Sequence, residues 1–314
     1  MARTSYAKGL HDLGDGIFAY LQPDGSWGWS NAGLIVDGDQ SLLVDTLFDL
    51  NLTQTMLDEM RRAVPAAKDI GTLVNTHANG DHCWGNELVK GAEIVASRAG
   101  AEEMEEVPAA MLAQIMRSAP NMGELGDYLT RIFGDFDFEG ITLTPPTRTF
   151  EAELTIDVGD KRVELIEVGP AHTRCDVLVH VPADRAVFTG DILFIEGHPI
   201  VWAGPVDNWI RACERILAMD VDVIVPAQGP LTDKAGVTAV RDYLAYVQTE
   251  ARKRYDAGMS AMEAAQDIAL DDYSSWGDAE RIIVNVSTLY REFSGDVTPP
   301  DIVGLFGQMA QLAR

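Results

Sequence analysis

The chain has 314 residues, enough for one large core or for a core domain with a smaller one attached. Hydrophobic residues make up 46% and charged residues 23%, the composition of an ordinary globular protein. The formal net charge of −25 argues against a nucleic-acid partner and against an anionic membrane surface, because both would repel the chain.

The first part of the chain predicts strands joined by turns. Residues 16–21 form a short apolar run. Residues 33–36 and 41–45 are apolar and flank a short segment centred on Gly38, which predicts a hairpin. Residues 51–63 carry apolar side chains at helical spacing and predict the first helix.

Four later strands are each followed by a ligand-type polar residue. The predicted strands cover residues 70–74, 163–168, 186–188 and 221–225, and they precede the cluster at 77–82, His172, Asp191 and Gln228, respectively. A fifth strand at 177–181 forms a hairpin with the third. In α/β folds the catalytic and binding residues follow strand ends along one edge of the sheet, so we expect these polar side chains to lie close together.

Two further regions are predicted to be helical. Residues from about 98 to 138 form a methionine-rich helical insert, which is either a lid over an adaptable apolar site or ordinary helix packing. From residue 233 onward apolar stripes at helical spacing recur. We therefore expect a catalytic domain at 1–232 that contains the insert, and a helical C-terminal extension at 233–314 that packs on the core.

The segment from His77 to His82 is dense in metal-donor groups. Histidine supplies a neutral nitrogen, aspartate a negative oxygen and asparagine a weaker carbonyl oxygen, and Gly80 permits a tight loop. A polar loop whose histidines cap the next helix is the alternative. The additional ligand-type residues at three other strand ends favour a metal site.

This pattern resembles the metallo-β-lactamase superfamily, whose signature is His-x-His-x-Asp-His followed by a distant His, an Asp and a final His. The resemblance extends from about residue 16 to residue 229 and includes four flanking segments: Ser30-Asn31-Ala32-Gly33, Leu43-Val44-Asp45-Thr46, Gly169-Pro170-Ala171-His172-Thr173 and Phe188-Thr189-Gly190-Asp191. It implies an α/β fold, a four-layer αββα sandwich with metals at one edge of its two sheets.

The resemblance also implies roles for individual residues. His77 and His172 would belong to a first metal site, Asp81 and His82 to a second, and Asp191 would bridge the two. A metal-bound water or hydroxide would be the nucleophile. Asp81 would be the catalytic residue that orients this water and helps to move its proton.

Two positions depart from the superfamily pattern. Asn79 takes the place of the second histidine, and Gln228 takes the place of the final one. Each site therefore exchanges an imidazole for an amide, which is a harder and weaker donor. We expect one or two divalent metals, with zinc as the default and manganese or iron as options; a metal-poor ligand-binding protein without hydrolase activity is the alternative.

The loop after Asp191 contains the residues that are predicted to contact the substrate. Phe194, Trp202 and His198 are predicted to line a substrate pocket, although a hydrogen-bonded histidine outside the pocket is the alternative for His198. Trp209 is predicted to be core. The sequence shows no arginine cluster at the site, which disfavours phosphodiesters and sulfates.

The expected function is a metal-dependent hydrolase acting on a neutral or apolar small molecule, with an ester, lactone or thioester as the default. Hydrolytic dehalogenation and polyketide cyclisation are alternatives on the same fold. The C-terminal tail is similar to the tails of one superfamily branch that includes dehalogenases of chlorinated aromatics, and it could serve homodimerisation or pocket closure.

The location is predicted to be cytoplasmic. No apolar run approaches the ~20 residues that span a bilayer, and the first nine residues contain no stretch typical of a signal peptide. The three cysteines form no Cys-x-x-Cys pair and suit a reducing compartment.

Overall fold

Two β-sheets lie face to face at the centre of the computed structural model, which describes residues 6–313. The first sheet has seven strands in sequence order: β1 (Gly9–Asp12), β2 (Ile17–Leu21), β3 (Ala32–Asp37), β4 (Gln40–Val44), β5 (Thr72–Val74), β6 (Glu93–Ser97) and β7 (Arg148–Phe150). The second has five strands in the order β12-β11-β10-β9-β8: β8 (Glu153–Val158), β9 (Lys161–Glu167), β10 (Val177–Val181), β11 (Ala186–Phe188) and β12 (Val223–Val225).

Ten α-helices surround the sheets in the described part of the chain. They are α1 (Leu50–Ala63), α2 (Gly80–Cys83), α3 (Arg98–Glu103), α4 (Ala109–Ser118), α5 (Glu124–Phe133), α6 (Val206–Ala218), α7 (Lys234–Asp256), α8 (Ala261–Asp267), α9 (Ile282–Ser294) and α10 (Ile302–Leu312). Among residues 6–313, none of these helices is both long enough and apolar enough to cross a membrane.

Side-chain alternation along the strands produces four layers. In β4, Leu42 and Val44 face the second sheet, whereas Leu43 packs in the cluster that contains the buried face of α1. In β10, Val179 faces the first sheet, and Leu178 packs in the cluster that contains α6, α7 and α9. The predicted αββα sandwich is therefore confirmed.

Strand direction gathers several strand ends at one edge. Strands β4 to β7 are parallel. Because β10 is antiparallel to both β9 and β11, and β12 is parallel to β11, the strands β9, β11 and β12 share one direction. The loops that follow β5, β9, β11 and β12 carry the predicted ligands.

The insert and the C-terminal helices share one hydrophobic cluster with the outer face of the second sheet. Tyr128 and Phe133 of α5, Trp209 of α6 and Val240 of α7 belong to it, together with Val187 of β11. The three helices α3 to α5 fall within the predicted insert. The boundary between residues 232 and 233 stays a prediction.

Some elements differ from the sequence-based expectations. The sequence pattern predicts a helix that starts at Trp209, whereas α6 begins at Val206, directly after Pro205 at its N-cap. Strand β12 begins at Val223 rather than at Val221. The strands β1, β6, β7 and β8 were not predicted. Strand β8 lies at the edge of its sheet and has alternating exposed side chains. Edge strands contain fewer apolar residues, so they are harder to recognise from the sequence.

Candidate metal centre

Asp45, at the end of β4, organises the loop that carries the histidine cluster. Its carboxylate accepts hydrogen bonds from the backbone N–H and from Oγ1 of Thr76, each at 2.7 Å. It also lies 3.0 Å from Nδ1 of His82. Since β4 and β5 are parallel neighbours, the first residues beyond both strands are adjacent, and one carboxylate can hold the whole loop.

Each of the three clustered histidines is held through Nδ1. His82 is held by Asp45, Nδ1 of His77 lies 3.1 Å from Oγ1 of Thr76, and Nδ1 of His172 lies 2.7 Å from the carbonyl oxygen of Ile200. Such contacts fix the orientation of an imidazole and leave Nε2 as its outward atom. In all three residues Nε2 is buried and has no hydrogen-bond partner within residues 6–313.

The three Nε2 atoms converge on the carboxylate of Asp191. The Nε2 atoms of His172 and His82 each lie 3.3 Å from one of its oxygens, and that of His77 lies 3.8 Å away. Nε2 of His82 is also 3.3 Å from Oδ2 of Asp81. Ligand atoms of His77, His82 and Asp191 all lie within 4.8 Å of one another.

The carboxylates favour positive charge at this point. Burial alone would lower the pKa of His82, but Asp81, Asp191 and Asp45 raise it well above its ordinary value. Burial and the two neighbouring histidines hold the pKa of His77 well below its ordinary value. Added positive charge therefore suits the cluster. A divalent cation supplies such charge without protonating an imidazole.

The donor set fits such a cation. Within the part of the chain that the structure describes, five buried atoms of this cluster have no hydrogen-bond partner: Nε2 of His77, His82 and His172, Oδ1 of Asp191 and Oε1 of Gln228. Buried polar atoms are rarely left without a partner, and unsatisfied ones at one point indicate a missing ion or water. Imidazole nitrogens with carboxylate and amide oxygens suit zinc, manganese or iron.

Comparison with known proteins gives the family. The family model described as the metallo-beta-lactamase superfamily matches residues 25–228, which is more than half of the chain. The chain belongs to the metallo-β-lactamase superfamily.

A curated relative matches part of this chain. A probable hydroxyacylglutathione hydrolase of Schizosaccharomyces pombe is 31% identical over 101 residues, which cover 32% of this chain and 37% of that protein. The match thus spans just over a third of the curated relative.

Solved structures of the superfamily share the fold. The sec-alkylsulfatase Pisa1 from Pseudomonas sp. superposes with a TM-score of 0.68 at 15% identity, over 95% of this chain and 52% of that one. A metallo-beta-lactamase from Pontibacter korlensis gives 0.57 at 18% identity, over 76% of this chain and 99% of that one. At such identities the likeness concerns the fold alone.

The two amides that replace superfamily histidines differ in their surroundings. Gln228 is buried, and its Nε2 donates to Oδ2 of Asp81 over 3.1 Å while Oε1 is the free atom named above. Asn79 is half-buried at the N-cap of α2, and its side chain makes no hydrogen bond to residues 6–313. The structure thus brings Gln228 to the cluster, whereas the side chain of Asn79 has no hydrogen-bond partner in the described part of the chain.

Asp45 is the functional residue that sequence reasoning missed. In the sequence it stands out only within Leu43-Val44-Asp45-Thr46, one of the segments that resemble the superfamily. The rule that identified the other candidates, a polar residue directly after a buried strand, also applies to it, because β4 ends at Val44. Its positive φ of 63° further marks a constrained position.

The three predicted pocket residues lie in different surroundings. The Phe194 ring centroid is 5.5 Å from that of His172, and the backbone N–H of Trp202 donates to the carbonyl oxygen of His172 at 3.1 Å. His198 is fully buried, and its ring packs edge-on against Tyr243 and Trp276 of the C-terminal extension. The ring of Phe194 and the backbone of Trp202 therefore adjoin His172, whereas the ring of His198 contacts the helical extension.

The prediction for Trp209 is confirmed. Its side chain is fully buried, and its Nε1 donates to the carbonyl oxygen of Ile192 at 3.0 Å. It packs edge-on against the His172 imidazole, with ring centroids 5.7 Å apart. Trp209 thus supports the His172 imidazole from the core.

Proposed function

We propose that this protein is a metal-dependent hydrolase of a small molecule. One observation supports it most directly: three anchored imidazoles present unpartnered Nε2 atoms to the single carboxylate of Asp191. A structural role alone does not explain such a cluster, because unsatisfied buried groups cost about 1–3 kcal/mol each.

His77, His172, His82, Asp81 and Asp191 would hold one or two divalent cations, and Gln228 would offer its amide oxygen. Zinc is the default proposal, and the harder amide oxygen makes manganese or iron alternatives. When bound, such a cation lowers the pKa of a coordinated water to about 7, which supplies a nucleophile at neutral pH.

Asp81 is proposed to take the proton from the attacking water. Its side chain is 12% exposed, compared with 0% for His82 and 5% for Asp191, so it lies nearest to solvent. Gln228 donates to Oδ2 of this carboxylate and fixes its orientation. Contact with His82 outweighs burial and holds the pKa of Asp81 below its ordinary value, so the carboxylate is ionised at neutral pH and can accept a proton.

The proposed substrate is an apolar small molecule with an ester, lactone or thioester bond. The Phe194 ring packs beside the His172 imidazole, and the half-buried Trp202 is joined to His172 through its backbone N–H, so these two residues are proposed to form the apolar side of the substrate site. The names of the relatives, a hydroxyacylglutathione hydrolase and an alkylsulfatase, are consistent with hydrolysis of a bond to an acyl or alkyl group. The net charge of −25 supports the absence of a nucleic-acid or membrane partner. The cytoplasmic location and the homodimer stay predictions.

Metal analysis combined with a substrate screen tests the proposal. Protein purified without chelator is assayed for transition metals and then, with added zinc, manganese or iron, against nitrophenyl esters, thioesters, lactones and haloaromatics. We expect bound metal and ester or thioester hydrolysis, both lost in His172→Ala. His11→Ala is the matched control, because the His11 side chain lies at the surface, where its Nε2 atom is 2.7 Å from the carbonyl oxygen of Ala7.

Different outcomes separate the alternatives. Less than about a tenth of an equivalent of any transition metal would overturn the enzyme proposal in favour of a metal-poor binding protein. Turnover restricted to haloaromatics would favour the dehalogenase alternative. Equal activity in His172→Ala and His11→Ala would remove His172 from the proposed site.

A further inference from the structure

Four aromatic side chains extend from the metal cluster to the C-terminal helices; we call Trp27, Phe194, Trp202 and Phe306 the aromatic belt. Phe194 and Trp202 adjoin His172, and from Trp202 the belt continues through Phe306 to Trp27. Phe194 packs on the His172 ring at 5.5 Å, and Trp202 donates its backbone N–H to the His172 carbonyl at 3.1 Å. The ring of Phe306 lies 6.0 Å from that of Trp202 and 5.7 Å from that of Trp27.

Arg281 closes the gap between the two free ends of the belt. Its Cζ lies 4.4 Å from the ring centroid of Trp27 and 5.4 Å from that of Phe194. Only 2% of Arg281 is exposed. Two of its nitrogens have partners: Nη1 donates to the His198 carbonyl at 3.0 Å, and Nη2 lies 3.0 Å from the Asp278 carboxylate. These contacts fix the plane of the guanidinium.

Two adjacent donors in this arrangement have no acceptor. Nε of Arg281 and Nε1 of Trp27 are both buried and unpartnered within residues 6–313. Trp209 shows the usual situation, because its Nε1 donates to a carbonyl oxygen. The second oxygen of Asp278 is already occupied by Ser26 Oγ at 2.8 Å. A nearby pair of unsatisfied buried donors, one of them charged, indicates a site for an acceptor that comes from outside the chain.

We propose that Arg281 and the aromatic belt bind a substrate with an apolar body and a carboxylate group. Nε of Arg281 and Nε1 of Trp27 donate to the carboxylate oxygens, and the apolar body lies along the belt. One aromatic side chain, Phe194, separates the guanidinium from His172, so the anionic group and the hydrolysed bond sit at opposite ends of one small molecule. The inference rests on the proposed function and refines its substrate class from neutral to monoanionic.

The chemistry of the site favours a single anionic group. Guanidinium binds carboxylates through charge-assisted hydrogen bonds, which are stronger than neutral ones and stronger still away from water. Apolar side chains around the cation exclude water and stabilise the body of the ligand. Asp278 balances part of the charge of Arg281, so this end of the site suits one anionic group rather than two.

Binding of a matched pair of probes tests this inference without turnover. Isothermal titration calorimetry of the full-length, metal-loaded protein compares 2-naphthoate with the neutral 2-naphthamide. We expect naphthoate to bind at least about 10-fold more tightly. Arg281→Met should abolish this preference and leave naphthamide binding unchanged. Trp27→Phe, which keeps the ring and removes only the Nε1 donor, should reduce the preference several-fold.

Arg252→Met is the matched control. Arg252 also lies over aromatic rings, with its Cζ 4.9 Å from the centroid of Phe293, but its side chain is 52% exposed. Arg252→Met also removes a charge and a cation–π contact, but it should leave the preference for naphthoate over naphthamide unchanged. Should Arg281→Met fail to fold, Trp27→Phe decides the matter.

Equal binding of the two probes by the native protein would overturn the inference. So would an undiminished preference in Arg281→Met, since the carboxylate would then be bound by the metal. If the protein hydrolyses neutral esters and shows no preference for anionic ligands, only this inference is rejected. If the protein binds no metal but still shows the Arg281-dependent preference, only the proposed function is rejected.

Discussion

The side-chain amide of Gln228 donates a hydrogen bond to Oδ2 of Asp81 over 3.1 Å, and its Oε1 atom is buried without a hydrogen-bond partner among residues 6–313. One side chain thus orients the proposed proton acceptor and offers a weak oxygen donor at the position where the superfamily places a histidine. We expect this replacement to lower metal affinity, while the hydrogen bond to Oδ2 holds the Asp81 carboxylate in place.

Gln228→His is expected to raise metal affinity by about 10-fold or more, because imidazole is a stronger donor than an amide for these metals. Competition with a fluorescent chelator measures the dissociation constant. Gln54→His on the exposed face of α1 is the control and should leave the constant unchanged. Unaltered affinity in Gln228→His would show that this position lies outside the coordination sphere.

Asp81→Ala is expected to reduce kcat by at least about 100-fold, the usual contribution of a positioned general base. Asp81→Asn retains the shape and should lose a similar amount, because an amide accepts no proton at neutral pH. Steady-state kinetics on the best substrate of the screen give the answer. Full activity in either variant would contradict the role of Asp81.

Asp45→Asn is expected to weaken metal binding by about 10- to 100-fold, the usual effect of removing the partner of a metal-binding histidine. The substitution removes the charge that holds Nδ1 of His82 at 3.0 Å. Asparagine tolerates the positive φ of this position, so the backbone should not change. Metal content after dialysis is the measurement, with the exposed Asp39→Asn as the control.

Gly33→Ala is expected to lower the free energy of unfolding by about 1–3 kcal/mol through overpacking. A Cβ atom at Gly33 would lie 2.2 Å from Cε1 of Phe188 in the opposite sheet. At Gly71 the nearest atom, the carbonyl oxygen of Ser41, is 3.8 Å away, so Gly71→Ala should be nearly neutral. Urea denaturation compares the two variants, and similar midpoints would argue against the close approach of the sheets.

Much of the fold was predictable because it depends on local patterns. Buried strands such as β5 and β10 are short apolar runs, and the stripe of α7 from Val237 to Val247 repeats at helical spacing. The convergence of His77 and Asp191 followed from one rule about strand ends. These features need only the neighbours in sequence.

The contacts that orient the site were not predictable, since they join distant segments. Arg281 reaches Trp27 and Phe194 only after the C-terminal helices have packed on the core. The Gln228 contact with Asp81 likewise depends on the exact register of two loops from different sheets. A sequence pattern identifies such residues as donors, whereas their partners are set by the tertiary structure.

The ligands are divided between the two sheets: His77, Asp81 and His82 follow β5 of the first, whereas His172, Asp191 and Gln228 follow strands of the second. A bound ion would therefore cross-link the open edge of the sandwich, much as a disulfide joins two distant segments. Because the cysteines of the described chain are all free, no covalent bond duplicates that link. Metal binding would also be a late step of folding, because the ligands that follow strands of the two sheets must first be brought together.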